Sequence, residues 1–438
     1  MLGQNQKLVE QAKAVLAKND RGQYTVPSLQ LYPHQWLWDS CFIAIGLAHH
    51  NPQRAAQEIK SLFRGQWTNG MLPNIIFGSS DTFWAGPKHW QSHVSKFAPA
   101  GIETSSMTQP PLVAYAAWLV AQKLPEAERE VFLKQIYPGL LAYHSWLYRE
   151  RDPANSGLAV LVHPWESGLD NTPTWMKALS RTPLWISVLL KSGGVELLRR
   201  LRRDLKNILS EQKLTDIEAL KLVHRLYRFR KRGYDSRLHI QKSRDTMEDL
   251  VFNSILVAAN KALIRIAETI AEDLPADLRF RVSQTETALE GLWDPETAQY
   301  YSRHFKTKRL IKVSTIATFL PLFAGSIPQR RAGQLVQVLK DPSRFWPAYP
   351  VPSTALNSRY FDAKRYWRGP TWINTNWLII NGLLQYGYDQ EAAALKKTCL
   401  ELVASSGFRE YFSPLSGEGY GIDNFSWTAA LYLELTHN

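Results

Sequence analysis

Two stretches of this chain concentrate groups able to do acid–base chemistry. One is His163-Pro164-Trp165-Glu166-Ser167-Gly168-Leu169-Asp170-Asn171-Thr172-Pro173. The other is Gly407-Phe408-Arg409-Glu410-Tyr411-Phe412-Ser413-Pro414, continuing through Glu418 to Gly421. Each sets carboxylates in a loop bounded by Gly and Pro. Such a pair suits glycoside hydrolysis with inversion. A protonated carboxyl serves the leaving oxygen, while an ionised one activates water on the opposite face of the sugar. Taken singly, each carboxylate could equally cap a helix or pair with a cation, and the sequence alone does not make the two loops face each other.

The aromatic residues point the same way. The chain has 16 tryptophans, and several cluster with polar and acidic groups in QWLWDS, HPWESGLDNTPTW and RYWRGPTW. A large core would absorb many of them. Sugar sites favour that mixture, because a flat ring covers the C–H face of a pyranose while neighbouring polar groups bind its hydroxyls.

Helices must position these loops. SCFIAIGLAHH after Asp39, PQRAAQEIKSLFRGQW from Pro52, LVAYAAWLVAQKL after Gln109-Pro110-Pro111 and the long run from Glu126 all read as helical. Apolar periodicity predicts more helices over roughly 246–272, 276–292, 312–324, 328–340, 371–387, 389–405 and 425–436. Period-2 patterns are scarce, although YYSRHF and the stretch Phe408–Phe412 could pair locally. Aromatic-rich loops at 69–91, 163–175, 344–371 and 406–425 alternate with the helices. Stacked helix pairs would gather such loops at one end. No short repeat is evident, and a solenoid would rarely carry so many long loops.

Composition narrows the classes. The 438 residues are 45% hydrophobic and 21% charged, an ordinary globular balance. Cys41 and Cys399 have no zinc-like spacing. His89 and His93 are four apart, but without the Glu of an HExxH site, so no metal and no cofactor are expected. The N-terminus reads as an amphipathic helix instead of a signal peptide, and no run reads as a membrane span, so a cytoplasmic location is expected. The formal charge is +13, of which +10 lies between Lys191 and Arg244, with 16 Lys and Arg against 6 Asp and Glu. One basic segment, not a basic protein, needs explaining, and no nucleic-acid partner is expected. Residues 190–244 read as two or three basic amphipathic helices forming a cap, inserted in a catalytic domain of residues 1–189 and 245–438. Charge there could steer anionic substrates, with Arg228, Arg230, Lys231 and Arg232 as candidates.

The motifs, taken together and in order, resemble glycoside hydrolase family 63, and most of all its compact bacterial mannosylglycerate and glucosylglycerate hydrolases. They are YPHQWLWDSCF, TQPP at 108–111, HPWESGLDNTP, RYWRGPTWINTNWLIINGL, FREYFSPLSGEG and NFSWTAAL. The resemblance implies an all-α (α/α)6 barrel that hydrolyses α-linked sugars with inversion. It makes Asp170 the general acid and Glu410 the general base, with Glu418 the competing base and Glu166 an orienting partner of the acid loop. Tyr32, Trp36, Trp38 and Asp39 match an aromatic-acid cluster that grips the sugar, although Asp39 could also cap the next helix. Trp165, Tyr366, Trp367 and Trp372 complete the aromatic set, and Gln109 matches a polar contact near the aglycone. Arg368 either binds a substrate oxygen or pairs with a carboxylate.

In the glycerate-specific enzymes a cap bearing Arg and Tyr closes over the glycerate. Here the corresponding stretch, Gln212 to Ala219, offers Lys213 and no Tyr. That departure leaves glycerate specificity open. The expected substrate is an α-glucoside or α-mannoside with a small polar aglycone, glucosylglycerate- or mannosylglycerate-like, with a disaccharide or oligosaccharide as the second possibility. A sugar epimerase is a more distant reading, since no loop offers its pair of histidines. A non-catalytic sugar-binding protein would not need two carboxylate loops. The glucose-or-mannose choice and a homo-oligomeric assembly stay open.

Overall fold

The structure, a computed structural model, describes residues 2–79, 85–180, 182–191 and 208–437. Twelve helices build the body: α1 (Leu2–Asn19), α2 (Leu37–Leu47), α3 (Pro52–Leu62), α4 (Val113–Lys123), α5 (Glu126–Arg151), α6 (Leu250–Thr269), α7 (Ala276–Leu289), α8 (Leu320–Ala324), α9 (Gln329–Leu339), α10 (Ile373–Gln385), α11 (Asp389–Ser406) and α12 (Ser426–His437). The even-numbered ones form a closed inner ring, since α2 packs on α4, α4 on α6, α6 on α8, α8 on α10, α10 on α12 and α12 on α2. Odd-numbered helices wrap the outside; α3 lies on α2 and α4, α5 on α4 and α6, and α11 on α10 and α12. This is the (α/α)6 barrel that the motif order implied.

Sequence decides which helix goes where. Every residue of α2, LWDSCFIAIGL, is buried. In α6, 15 residues are buried. A helix apolar on all sides has to sit inside. Outer helices such as α3 and α9 bury one stripe and turn Gln, Arg and Lys to solvent. One expectation needs correcting here. Among the described residues α6 is long and apolar enough to cross a membrane, but 83% of its apolar window is buried inside the barrel.

Close packing of the ring depends on glycine at particular points. A Cβ on Gly46 of α2 would run into the backbone carbonyl of Ala430 in α12. Gly46→Val should therefore cost at least about 1–3 kcal/mol, as overpacked cores do. The exposed Gly291, whose nearest neighbour to a new Cβ is the Arg303 guanidinium at 3.6 Å, provides the control. Thermal unfolding should show a lowered midpoint for Gly46→Val and almost none of that loss for Gly291→Ala.

Four of the motif loops lead directly into inner helices. Tyr32 to Trp36 precedes α2, Gln109 precedes α4, Tyr366 to Trp372 precedes α10 and Glu410 to Phe425 precedes α12. All of them thus collect at one rim of the barrel. The few strands are two-residue pairs within and between these loops. Tyr411–Phe412 pairs with Gly419–Tyr420, and Gln35–Trp36 pairs with Ile75–Ile76. Of the basic segment, the described part forms a helix over Asp216–Arg230 and another over Ser236–Lys242. Most of the first helix predicted there, VELLRRLRRDLKNILSEQ, lies outside the described residues.

Candidate active site

The acid loop is fixed from below. Glu166 is fully buried and takes two hydrogen bonds from Arg151 at the end of α5, with 2.9 Å for the Nη1 contact, and one from the Val162 amide at 2.8 Å. A carboxyl group buried this deeply needs such partners to replace the water it has lost. Gly168 then turns the chain at φ +73°, where a Cβ would come within 3 Å of the Trp38 ring. Only glycine makes that turn so close to an indole. This delivers Asp170 to a cavity lined also by Tyr32, Trp36, Trp90, Trp165, Lys213 and Tyr366. Burial raises the Asp170 carboxyl to about 7, with the Glu410 charge adding to the rise and Lys213 opposing it. Asp170 can therefore hold a proton near neutrality.

The second carboxylate, Glu410, is 1% exposed. Its backbone pairs with Ile422 at 3.0 Å, and the Ile422 amide donates to Oε2 at 3.2 Å. Gly421, at φ +69°, passes so close to this carboxylate that no side chain would fit. The Tyr32 hydroxyl donates to Oε1 at 2.9 Å. Lys213 closes the arrangement, its Nζ lying 2.9 and 3.0 Å from the two Glu410 oxygens and 2.7 Å from the Tyr32 hydroxyl. The ammonium also lies 4.2 Å from the centre of the Tyr366 ring, within cation–π range.

Hydrogen bonds lock the loops to one another. Asn171, next to Asp170, accepts from the Trp367 amide at 2.9 Å. Thr371 and Phe412 exchange backbone bonds of 2.8 and 2.9 Å, which ties the aromatic loop to the loop of Glu410. Tyr366 sits at φ +41°, an uncommon backbone state for a bulky residue, and Trp372 Nε1 holds its carbonyl at 3.1 Å. From the basic segment, the Gln212 side chain accepts from the Gly421 amide at 3.1 Å, and the Lys213 carbonyl accepts from Arg365 at 3.3 Å. The segment is thus built into the site.

The family described as mannosylglycerate hydrolase MGH1-like glycoside hydrolase domain matches residues 32–428. A mannosylglycerate hydrolase from Thermus thermophilus is 42% identical over 428 residues, covering 96% of this chain and 99% of that one. A crystal structure of a family 63 mannosylglycerate hydrolase from the same species, in complex with Tris and D-glycerate, superposes with a TM-score of 0.88 at 40% identity. That match covers 98% of this chain and 100% of the other. The chain belongs to glycoside hydrolase family 63. A glucosylglycerate hydrolase from Mycolicibacterium hassiacum is also similar, at 31% identity over 453 residues, covering 98% of this chain and 97% of that one.

Within this family 63 fold the expected site residues fall into two groups. Tyr32, Trp36, Trp165, Asp170 and Tyr366 line the cavity, and Glu410 adjoins it through Tyr32 and Lys213. Trp38, Trp367 and Trp372 do not line it. They are at most 2% exposed, with Trp367 and Trp372 stacked at 3.8 Å and Tyr411 tilted on Trp372 at 4.5 Å. This column backs Tyr366 and the Glu410 loop from behind. Gln109 is likewise buried, its Oε1 3.5 Å from the Trp38 amide at the start of α2. Asp39 is in the first turn of α2, while Trp36 holds the cap position, so Asp39 is not the cap of that helix. Burial first, then the charges of Glu410 and Asp170, hold its carboxyl well above the usual range.

Position also decides the roles of Arg368, Glu418 and the two histidines. Arg368 pairs with Glu218 of the basic segment and contacts Met176 Sδ at 2.8 Å, so it takes the carboxylate option. Glu418 is exposed on the hairpin and accepts from the Tyr420 hydroxyl at 3.0 Å, away from the cavity. His89 and His93 belong to two short turns separated by Gln91 at φ +49°, so they share no helical face. The steering candidates do not line the cavity of Asp170. Arg230 donates to the His89 carbonyl at 2.9 Å and Arg232 contacts His239 at 3.0 Å. Among the described residues of this segment, the cation that reaches Glu410 is Lys213. Trp90 and Asn74 also line the cavity; both fall in the 69–91 loop expected at this end, but sequence did not single them out. Neither residue stands in a motif with a carboxylate.

Proposed function

We propose that this family 63 hydrolase cleaves an α-linked glycosylglycerate, a mannoside or glucoside, with inversion. Asp170 protonates the glycosidic oxygen as its bond to the anomeric carbon breaks. Glu410 takes a proton from the water that attacks the opposite face. Tyr32 orients the base, and Trp36, Trp165 and Tyr366 surround the sugar. No cofactor enters this chemistry. Relatives named for mannosylglycerate and glucosylglycerate support the substrate class.

The observation that carries the reading is the position of Lys213. A buried ammonium beside the two carboxyls is a ready partner for a carboxylate on the aglycone. In the structure it bonds to Glu410. The cavity is then only about 70 Å3, against roughly 300–1,000 Å3 for sites that hold small ligands. A sugar therefore enters as Lys213 and Leu214 give way, and the glycerate carboxylate draws the ammonium off the base. Binding the anionic aglycone thereby frees Glu410 to activate water.

The test is to incubate the protein with α-mannosylglycerate, α-glucosylglycerate and neutral α-linked disaccharides, following the anomeric protons by NMR. The expected result is release of glycerate with the β-anomer of the sugar appearing first. An α-anomer appearing first would mean retention. Faster turnover of a neutral disaccharide would transfer the assignment to the oligosaccharide reading.

A further inference from the structure

The basic segment has a second feature that the hydrolytic site does not use. A cleft of about 350 Å3 opens where the helix Asp216–Arg230 meets the chain just after the acid loop and the end of the helix Ser236–Lys242. Among the described residues its walls carry Lys221, Arg225, Arg228, Lys242 and Arg244, against a single carboxylate, Asp245. Lys221, Arg225 and Arg228 are spaced i, i+4, i+7, so they share one face of their helix. Among the described residues only Arg225 is ion-paired there, with Asp245 at 3.5 Å. Lys221 donates to the Leu179 carbonyl at 2.8 Å, and the side chains of Arg228, Lys242 and Arg244 have no carboxylate partner among the described residues.

Like charges gathered in one concavity repel, and their neighbours register it. The Arg225 guanidinium, nine-tenths buried, is lowered by burial and then by Arg228, although Asp245 opposes this. Its Nη2 donates to the Asp245 carbonyl at 2.7 Å, while its Nε is buried with no hydrogen-bond partner among the described residues. Next to it, His224 is lowered by burial, Arg228 and Arg225. A folded protein keeps such a cluster where an anion offsets it, and guanidinium forks suit phosphate-type oxygens. The concavity favours a compact anion over an extended polyanion.

We propose that this cleft is a binding site for a small multivalent oxyanion of the phosphate class, and that its occupancy regulates the hydrolytic site. The regulatory half rests on the function proposed above. The connection is short. Leu179 and Thr182 follow directly from the acid loop. At its other end, the helix carrying Lys221, Arg225 and Arg228 holds Arg368 through Glu218, and Lys213 precedes it by three residues. An anion bridging the cleft fixes this helix against the acid loop and so fixes where Lys213 can sit.

Calorimetric titration of the whole protein with inorganic pyrophosphate, at constant ionic strength, tests the site without reference to catalysis. One saturable site per chain is expected, with affinity falling at least tenfold in the double variant Arg228→Gln/Arg244→Gln. A control that also removes two charges, Lys7→Gln/Lys397→Gln, should bind as the parent does. No saturable binding, or equal binding by both double variants, overturns the site. Saturating pyrophosphate should also change KM for the glycoside at least twofold in the parent and not in Arg228→Gln/Arg244→Gln. An unchanged KM overturns the regulation. Should the hydrolytic reading itself fail, no glycoside would be turned over while the titration result would still stand.

Discussion

Glu410→Gln is expected to lower kcat by about 10²–10⁴-fold, the usual worth of a general base, and Asp170→Asn to do the same for the acid. Both side chains keep their shape; Asp170→Asn should unfold near the parent's temperature, while Glu410→Gln leaves the buried Lys213 ammonium unpaired and should unfold somewhat lower, so its kcat is compared well below that midpoint. The two losses should differ in kind. An aglycone that leaves readily, such as a dinitrophenolate, needs no proton, so it should restore much of the rate to Asp170→Asn and none to Glu410→Gln. Because the pair acts as one unit, the double variant should be little worse than either single one. Glu418→Gln should be nearly as active as the parent, since Glu418 is exposed and bonded to Tyr420. If instead Glu418→Gln is inactive and Glu410→Gln active, the base has been misassigned.

The pH profile adds a signed expectation. In the proposed acid role Asp170 works only while protonated, and burial, with the nearby Glu410 charge, raises its carboxyl to about 7. Rates should therefore decline as pH rises through about 7, and that limb should disappear in Asp170→Asn assayed with the activated leaving group. A limb that survives in this variant belongs to another group.

Much of this site was legible in sequence because its motifs are compact and most of them run directly into the start of a ring helix. Gly168, Asp170 and Asn171 stand in one motif, as do Tyr366, Trp367 and Trp372, and a closed ring of helices gives those motifs only one rim on which to meet. What sequence could not separate was contact from support. Trp36 and Trp38 are two residues apart, yet the first lines the cavity and the second packs under Gly168 at the head of α2. That division depends on where the helix begins, a boundary periodicity places poorly. Arg368 is similar, since its partner Glu218 comes from a segment 150 residues earlier. Net charge misled in another way. The arginines described in the segment do not line the cavity of Asp170, while one lysine just before its helix reaches Glu410.

That lysine gives the second large effect. Lys213 is 5% exposed at its side chain and touches both oxygens of Glu410. Truncating one partner of a buried charge pair typically costs about 2–5 kcal/mol, so kcat/KM for an anionic glycosylglycerate should fall by about 10²-fold or more in Lys213→Met. A neutral α-glycoside of the same sugar gains nothing from the ammonium and has to displace it from Glu410. It should lose far less, or improve. Lys213→Arg, which keeps the charge, should retain part of the preference for the anion. The charge also acts on the acid, because Lys213 holds the Asp170 carboxyl lower than burial alone would. Without it that carboxyl moves up, and the alkaline limb of the rate should shift to higher pH. Comparing both substrates across pH in the parent and Lys213→Met separates the two roles. Equal losses for anionic and neutral substrates would mean that Lys213 acts only by holding the base, and a limb that moves to lower pH would contradict its influence on Asp170.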